Sequence, residues 1–108
     1  MNGSDASVTE PTYVDTLAAR IREATPSDLI PDDAGESEVR QLFRLYALLA
    51  LVRGRDVSAA DVHDAWSVWM LGRGEGDHES IVPFVALDDA AQEQDDPFVR
   101  AIRAAVAG

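Results

Sequence analysis

His63 and His78 are the only histidines in the chain, and Asp64, Asp77 and Glu79 stand beside them. Imidazole with carboxylate is the ligand set left for a transition metal where thiolates are missing, and the chain has no cysteine. The spacing argues against a metal site. His63 and Asp64 are neighbours, so on a helix they point to different faces, and no His-Glu-x-x-His run is present. Instead, the pattern puts His63, one turn before Trp66 and two before Met70, at the rim of an apolar helix face. It gives His78 the task of anchoring a loop through a ring hydrogen bond. Neither a metal nor any other cofactor is expected.

Trp66 and Trp69 are the second pair that could do chemistry, as a shelf for a base or a methylated cation. Helical spacing assigns Trp66 to the core. Trp69 is read as the more open of the two, because a small core rarely holds two adjacent indoles. The candidate groove then lies beside Trp69, His63, His78 and the loop of residues 72–77, and the candidate ligand-binding residues are His63, Trp66, Trp69, His78 and Phe84. Gly72-Arg-Gly-Glu-Gly has the glycines of a phosphate loop, but it lacks the lysine and follows a helix instead of preceding one. No serine stands in a nucleophile elbow. No catalytic residue is assigned, and an enzyme is not expected.

The elements that must position these residues are helical. Tyr13, Val14, Leu17, Ile21 and Ala24 recur at helical steps after Pro11 and stop before Pro26. In the following loop, Leu29 and Ile30 form an apolar plug. Glu36 to Arg53 is a helix with acid at its start, Arg53 at its end and Gly54 to stop it. Between Leu42 and Val52 only Arg44 interrupts apolar or aromatic residues, so this helix should be central or part of a subunit interface. Ser58 and Asp61 make a capping-box pair, with Val57 and Val62 as the staple, for a helix reaching Leu71. Pro83 pushes Val82 toward an extended conformation, giving an extended Val82-Pro83-Phe84 segment. A short helix follows over Leu87 to Glu93, with Asp88 as its cap. Asp96-Pro97 reads as a capping carboxylate and a first-position proline for the last helix.

The expected fold class is therefore all-α, a single-domain bundle of four to five helices over residues 12–108 behind a flexible tail of residues 1–11. Its expected core is Leu17, Ile21, Leu42, Phe43, Leu45, Tyr46, Leu49, Val62, Trp66, Val82, Phe84, Leu87, Phe98 and Ile102. The 108 residues carry a net charge of -11, and every basic residue is arginine. That balance excludes direct nucleic-acid binding and anionic membrane surfaces. No apolar run approaches the roughly 20 residues of a membrane span. The polar amino terminus is not a secretory signal, and a cytoplasmic location fits the lack of cysteine. Asp88, Asp89, Glu93, Asp95 and Asp96 can mimic phosphates for a DNA-binding protein. The simpler reading makes them two capped helix starts.

From Val62 to Ala107, His63, Trp66, His78, Val82, Pro83, Phe84, Leu87 and Asp95 follow a pattern that resembles the ryanodine-receptor repeat (RyR) family. Glu79 stands where that family has proline, Ile81 where it has leucine and Gln92 where it has lysine. The loop before His78 is shorter and lacks the family's Gly-Trp and Tyr-Gly pairs. The whole chain is also similar to small proteins of actinobacteria and their phages. The resemblance implies a non-enzymatic module, phage-encoded in one version, that binds a protein partner or a small, nucleotide-like ligand. The charge offers an alternative, an acidic inhibitor or nucleic-acid mimic that occupies a host protein. The girth of the central helix predicts a homodimer.

Overall fold

Helix starts and stops set the architecture. The structure, a computed structural model, describes residues 11–108. The tail reading for Met1 to Glu10 falls outside the described residues, and Pro11 is exposed and lies outside the helices described. The first described helix, α1 (Tyr13–Ala24), is capped by Thr12. Its hydroxyl accepts the Asp15 amide at 3.2 Å, and the Asp15 carboxylate accepts the Thr12 amide at 3.2 Å. A 3-10 turn over Ser27–Leu29 leads into α2 (Glu36–Arg53). Gly54 ends α2 at φ +57, a conformation that side chains with a Cβ rarely adopt. The third helix, α3 (Ala59–Gly72), opens on the expected Ser58–Asp61 capping box, and Val57 and Val62 are both fully buried.

Residues 72–77 are more ordered than a glycine-rich loop suggests. The Glu75 amide donates to Met70 O at 2.9 Å and the Gly74 amide to Leu71 O at 3.1 Å, with Gly74 at φ +78. This is a Schellman stop, which satisfies carbonyls that the helix end leaves free. Irregular chain then runs to a 3-10 turn over Phe84–Ala86, so the Val-Pro-Phe stretch curls at Phe84 where an extended segment was expected. Two helices close the chain, α4 (Asp89–Glu93) and α5 (Asp96–Ala107). Asp88 caps α4 as expected, accepting the Ala91 amide at 2.9 Å. Asp96 does not cap α5; it is the first helical residue. Asp95 holds the cap position in helical geometry (φ -86, ψ -15) and makes no side-chain cap bond. The cause is the two-residue join of Gln94 and Asp95, which keeps turning and leaves no extended residue to cap from.

The class is all-α, and the described residues contain no strand. α1, α3 and α5 all pack on α2, which is the central helix. Ile21, Leu42, Phe43, Tyr46, Val62 and Ile102 are buried as expected. Leu17, Leu45, Leu49, Trp66 and Phe98 are only partly buried against them. Val82 is exposed, and Phe84 and Leu87 are half-buried; their segment contributes backbone contacts more than core volume. The two tryptophans exchange roles. Trp69 is 5% exposed, because it shares the α2-facing side of α3 with Val62 and Ala65. Its indole N–H donates to Glu38 O at 2.7 Å, and the Arg73 guanidinium lies 4.5 Å from its ring centre. Trp66 turns toward the irregular segment.

Arginines tie the helices together. Arg22 grips Glu36 with two bonds of 2.7 and 3.0 Å and Arg44 bonds Asp15 at 2.7 Å, both joining α1 to α2. Arg53 bonds Asp61 at 3.0 Å across α2 and α3. Arg103 of α5 donates to Val57 O at 2.8 Å. Arg73 Nε comes within 3.5 Å of Glu38 Oε2 without hydrogen-bond geometry, while its guanidinium stacks on Trp69 and its Nη1 reaches Met70 Sδ at 3.9 Å. If Trp69 is the core indole, Trp69→Ala costs about 3–5 kcal/mol in urea unfolding. Trp66→Ala then costs no more than about 2 kcal/mol, as expected for partial burial. The reverse order would return Trp66 to the core.

Candidate ligand pocket

Three of the five expected ligand residues meet at one place. A pocket of about 260 Å³ opens between the α1–α2 connection at Leu29, α2, α3, the irregular segment and the α4–α5 join, and its lining includes Tyr46, His63, Trp66, His78, Asp95 and Phe98. Helical spacing brings Tyr46 to the inner side of α2 and places His63 and Trp66 one turn apart on α3. Asp95 and Phe98 come from the start of α5.

His63 is only 4% exposed, well inside the rim position expected for it. A buried imidazole needs a partner, and its Nε2 lies 2.7 Å from Val82 O. Only a protonated nitrogen can donate to a carbonyl, so the neutral ring carries its proton on Nε2 and leaves Nδ1 as a lone pair. His78 is exposed, and its Nδ1 accepts the Ser80 amide at 3.0 Å. This is the expected loop anchor, and it puts the proton of the neutral ring on Nε2. Trp66 packs against both imidazoles, stacked on His63 at 5.8 Å and edge-on to His78 at 5.2 Å. Tyr46 rests on Phe98 at 5.4 Å and on Phe43 at 5.6 Å.

Two acidic groups of the pocket are held neutral more strongly than in water. Burial pushes the Tyr46 phenol up, and the negative charge of Asp95 adds to it. Burial also pushes the Asp95 carboxyl up to about 6; His63 opposes that shift and Asp96 adds to it. The site therefore offers aromatic faces, a phenol donor, an imidazole N–H at the mouth and one carboxylate.

Trp69 and Phe84 are not part of this pocket. Trp69 is sealed between α2 and α3. Phe84 tilts against His63 at 6.1 Å and lines a separate shallow hollow with Asp89, Glu93 and Asp96. Gln92, where the resemblance expects lysine, donates to Phe84 O at 3.0 Å and to Leu87 O at 3.3 Å, which holds the 3-10 turn closed. Sequence reasoning missed Tyr46, Asp95 and Phe98 as site residues. Tyr46 did carry a signal, as the one polar-tipped aromatic in the apolar run of α2. Among the described residues, no three His, Asp or Glu side chains gather as metal ligands, and no helix is long and apolar enough to cross a membrane.

A family model described as "Domain of unknown function (DUF7701)" matches residues 12–107. The chain belongs to this family. The DUF7701 match runs from Thr12, the cap of α1, to Ala107, the last residue of α5, so the family unit and the helical unit coincide. No curated protein and no solved structure matches the chain.

The titration of Asp95 gives the DUF7701 domain a pH signature. Its folded pKa of about 6 lies above the ordinary aspartate value of 3.8, so the native state binds the extra proton. Stability therefore falls as pH rises from about 4 to about 6. Asp15 behaves oppositely. Arg44 and Thr12 hold it at about 2, so its contribution is present above about 4 and is lost on further acidification. Stability should therefore peak near pH 4–5. Asp95→Asn should add about 1–2 kcal/mol at pH 7.5 in urea unfolding, after discounting for solvent screening. The difference between the wild-type and variant curves should vanish at pH 4. A variant that is less stable at pH 7.5 would show that the ionised carboxylate supports the fold.

Proposed function

We propose that this DUF7701 chain is a non-enzymatic binding module, RyR-like over residues 62–107, that takes a small planar ligand into the pocket of Tyr46, Trp66 and Asp95. The observation that carries this reading is the convergence of residues far apart in sequence on one aromatic-walled pocket with few polar groups, the usual form of a small-ligand site. The imidazoles are read as structural: each spends one ring nitrogen on backbone, His63 on Val82 O and His78 on the Ser80 amide. The nucleotide-like expectation narrows to the base portion of such a ligand, because the pocket lining includes no arginine to meet a phosphate.

Thermal unfolding with a panel of nucleosides, free bases and their phosphates tests the reading. A binder at one hundred times its Kd adds about 2.7 kcal/mol, which raises Tm by several degrees. Phosphorylation should bring no gain. A panel that moves neither Tm nor Trp66 fluorescence would remove the nucleotide-like reading of the pocket.

A homodimer is proposed as the assembly. Leu48, Leu51 and Val52 on α2 and Val68 and Leu71 on α3 are all at least half exposed. No Asp or Glu occurs from Val39 to Arg55, so two copies can meet along α2 without opposing carboxylates despite the charge of the chain. A stable contact needs about 1,000 Å² or more of buried surface. Light scattering should give twice the chain mass, and the double variant Leu48→Glu/Val52→Glu the single mass with unchanged helicity. A monomeric wild-type protein at high micromolar concentration would overturn the dimer.

A further inference from the structure

Asp95 carries a carboxylate that the fold does not use. It occupies the cap position of α5 without capping it. Its surroundings act on it only through burial and through the charges of His63 and Asp96, with no hydrogen bond contributing. A partly buried carboxylate without a partner is costly, and a cap residue that leaves its helix unserved is unusual for aspartate. The group faces a pocket whose other walls include Tyr46, Trp66 and Phe98.

We infer that the pocket takes a planar organic cation, a guanidinium or amidinium, which pairs with Asp95 and lays its face against the aromatic wall. This rests on the reading of the pocket as a ligand site and names the chemistry of its ligand. A planar cation can meet a carboxylate through two parallel N–H bonds while stacking on an aromatic ring. The protein makes this kind of stack itself, with Arg73 at 4.5 Å over Trp69 and Arg22 at 6.0 Å over Phe43. The lining supplies no arginine of its own to neutralise Asp95. The field of a chain at -11 draws cations toward the mouth and turns anions away. The start of α5, where an anion would otherwise settle, is covered by Asp95 and Asp96. The charged or titratable groups around Asp95 are His63, His78, Tyr46 and Asp96. Acidification neutralises Asp95 and can add only positive charge at the imidazoles, so both effects weaken the binding of a cation.

Benzamidine, benzamide and benzoate share one shape and differ in charge, which makes them the probes. Calorimetry on the full chain at pH 7.5 should place benzamidine at least about tenfold ahead of benzamide, the margin of a charge-assisted pair, with benzoate undetectable. The preference should shrink as pH falls through about 6 and disappear in Asp95→Asn. In a nitrogen-edited spectrum the Trp66 indole signal should move and the buried Trp69 signal should stay. Equal binding of benzamide and benzamidine would overturn the cation while leaving the ligand pocket intact. A benzamidine preference that survives Asp95→Asn would overturn the role of that carboxylate. If no probe binds, and the nucleoside panel also fails, both readings fall; if only a nucleoside binds, the cation alone falls. Agmatine and a capped Gly-Arg-Gly peptide then separate a free cation from an arginine side chain, according to which binds more tightly.

Discussion

The hydrogen bond between His63 Nε2 and Val82 O, 2.7 Å long, joins the regular part of the molecule to its irregular part. Residues between α3 and α4 have no ladder or long helix to fix them. Their backbone must find partners elsewhere, because buried peptide groups left unpaired are costly. A buried imidazole on α3 provides one such partner. It also fixes the plane against which Trp66 stacks and sets one wall of the pocket. The Schellman stop before this segment and the Gln92 bonds after it hold the two ends, so the irregular chain is pinned at three places.

Electrostatics reinforces this arrangement from outside. The chain has few cations, and of the five described ion pairs all but the Arg40–Glu36 pair within α2 join α1 to α2 or α2 to α3. Exposed pairs contribute little individually. Their value is in register, since the bidentate Arg22–Glu36 pair and the Arg44–Asp15 bond fix how α1 lies along α2. With arginine placed at these seams, the pocket is left with a carboxylate and no cation opposite it.

Local signals made the fold legible from sequence. Ser58 with Asp61, Asp88, Gly54 and the apolar run of α2 are short-range features, and each acts as its chemistry requires. Thr12 with Asp15 is of the same type and was overlooked beside Pro11. The errors arose where two elements share a boundary. Asp96 reads as a cap only if its own backbone is extended, and the tight α4–α5 join makes it the first helical residue instead. The choice between Trp66 and Trp69 depends on which side of α3 faces α2, and α3 gives a weak preference because Val68 and Leu71 make its outer side apolar too. The site was legible in part for a related reason. His63, Trp66 and His78 lie close in sequence, whereas Tyr46, Asp95 and Phe98 join them only through packing.

The stretch from Glu75 to Ile81 is tethered at both ends. Gly74 closes the helix stop behind it, and the carbonyl of Val82 is clasped in front of it. A span whose two ends are anchored can change length without shifting either anchor, since the entropic cost of a longer loop grows slowly. Added or deleted residues near His78 would therefore resize the rim of the cavity while the helices beneath stay in place. In this architecture, diversification among homologues can proceed at the doorway without renegotiating the interior.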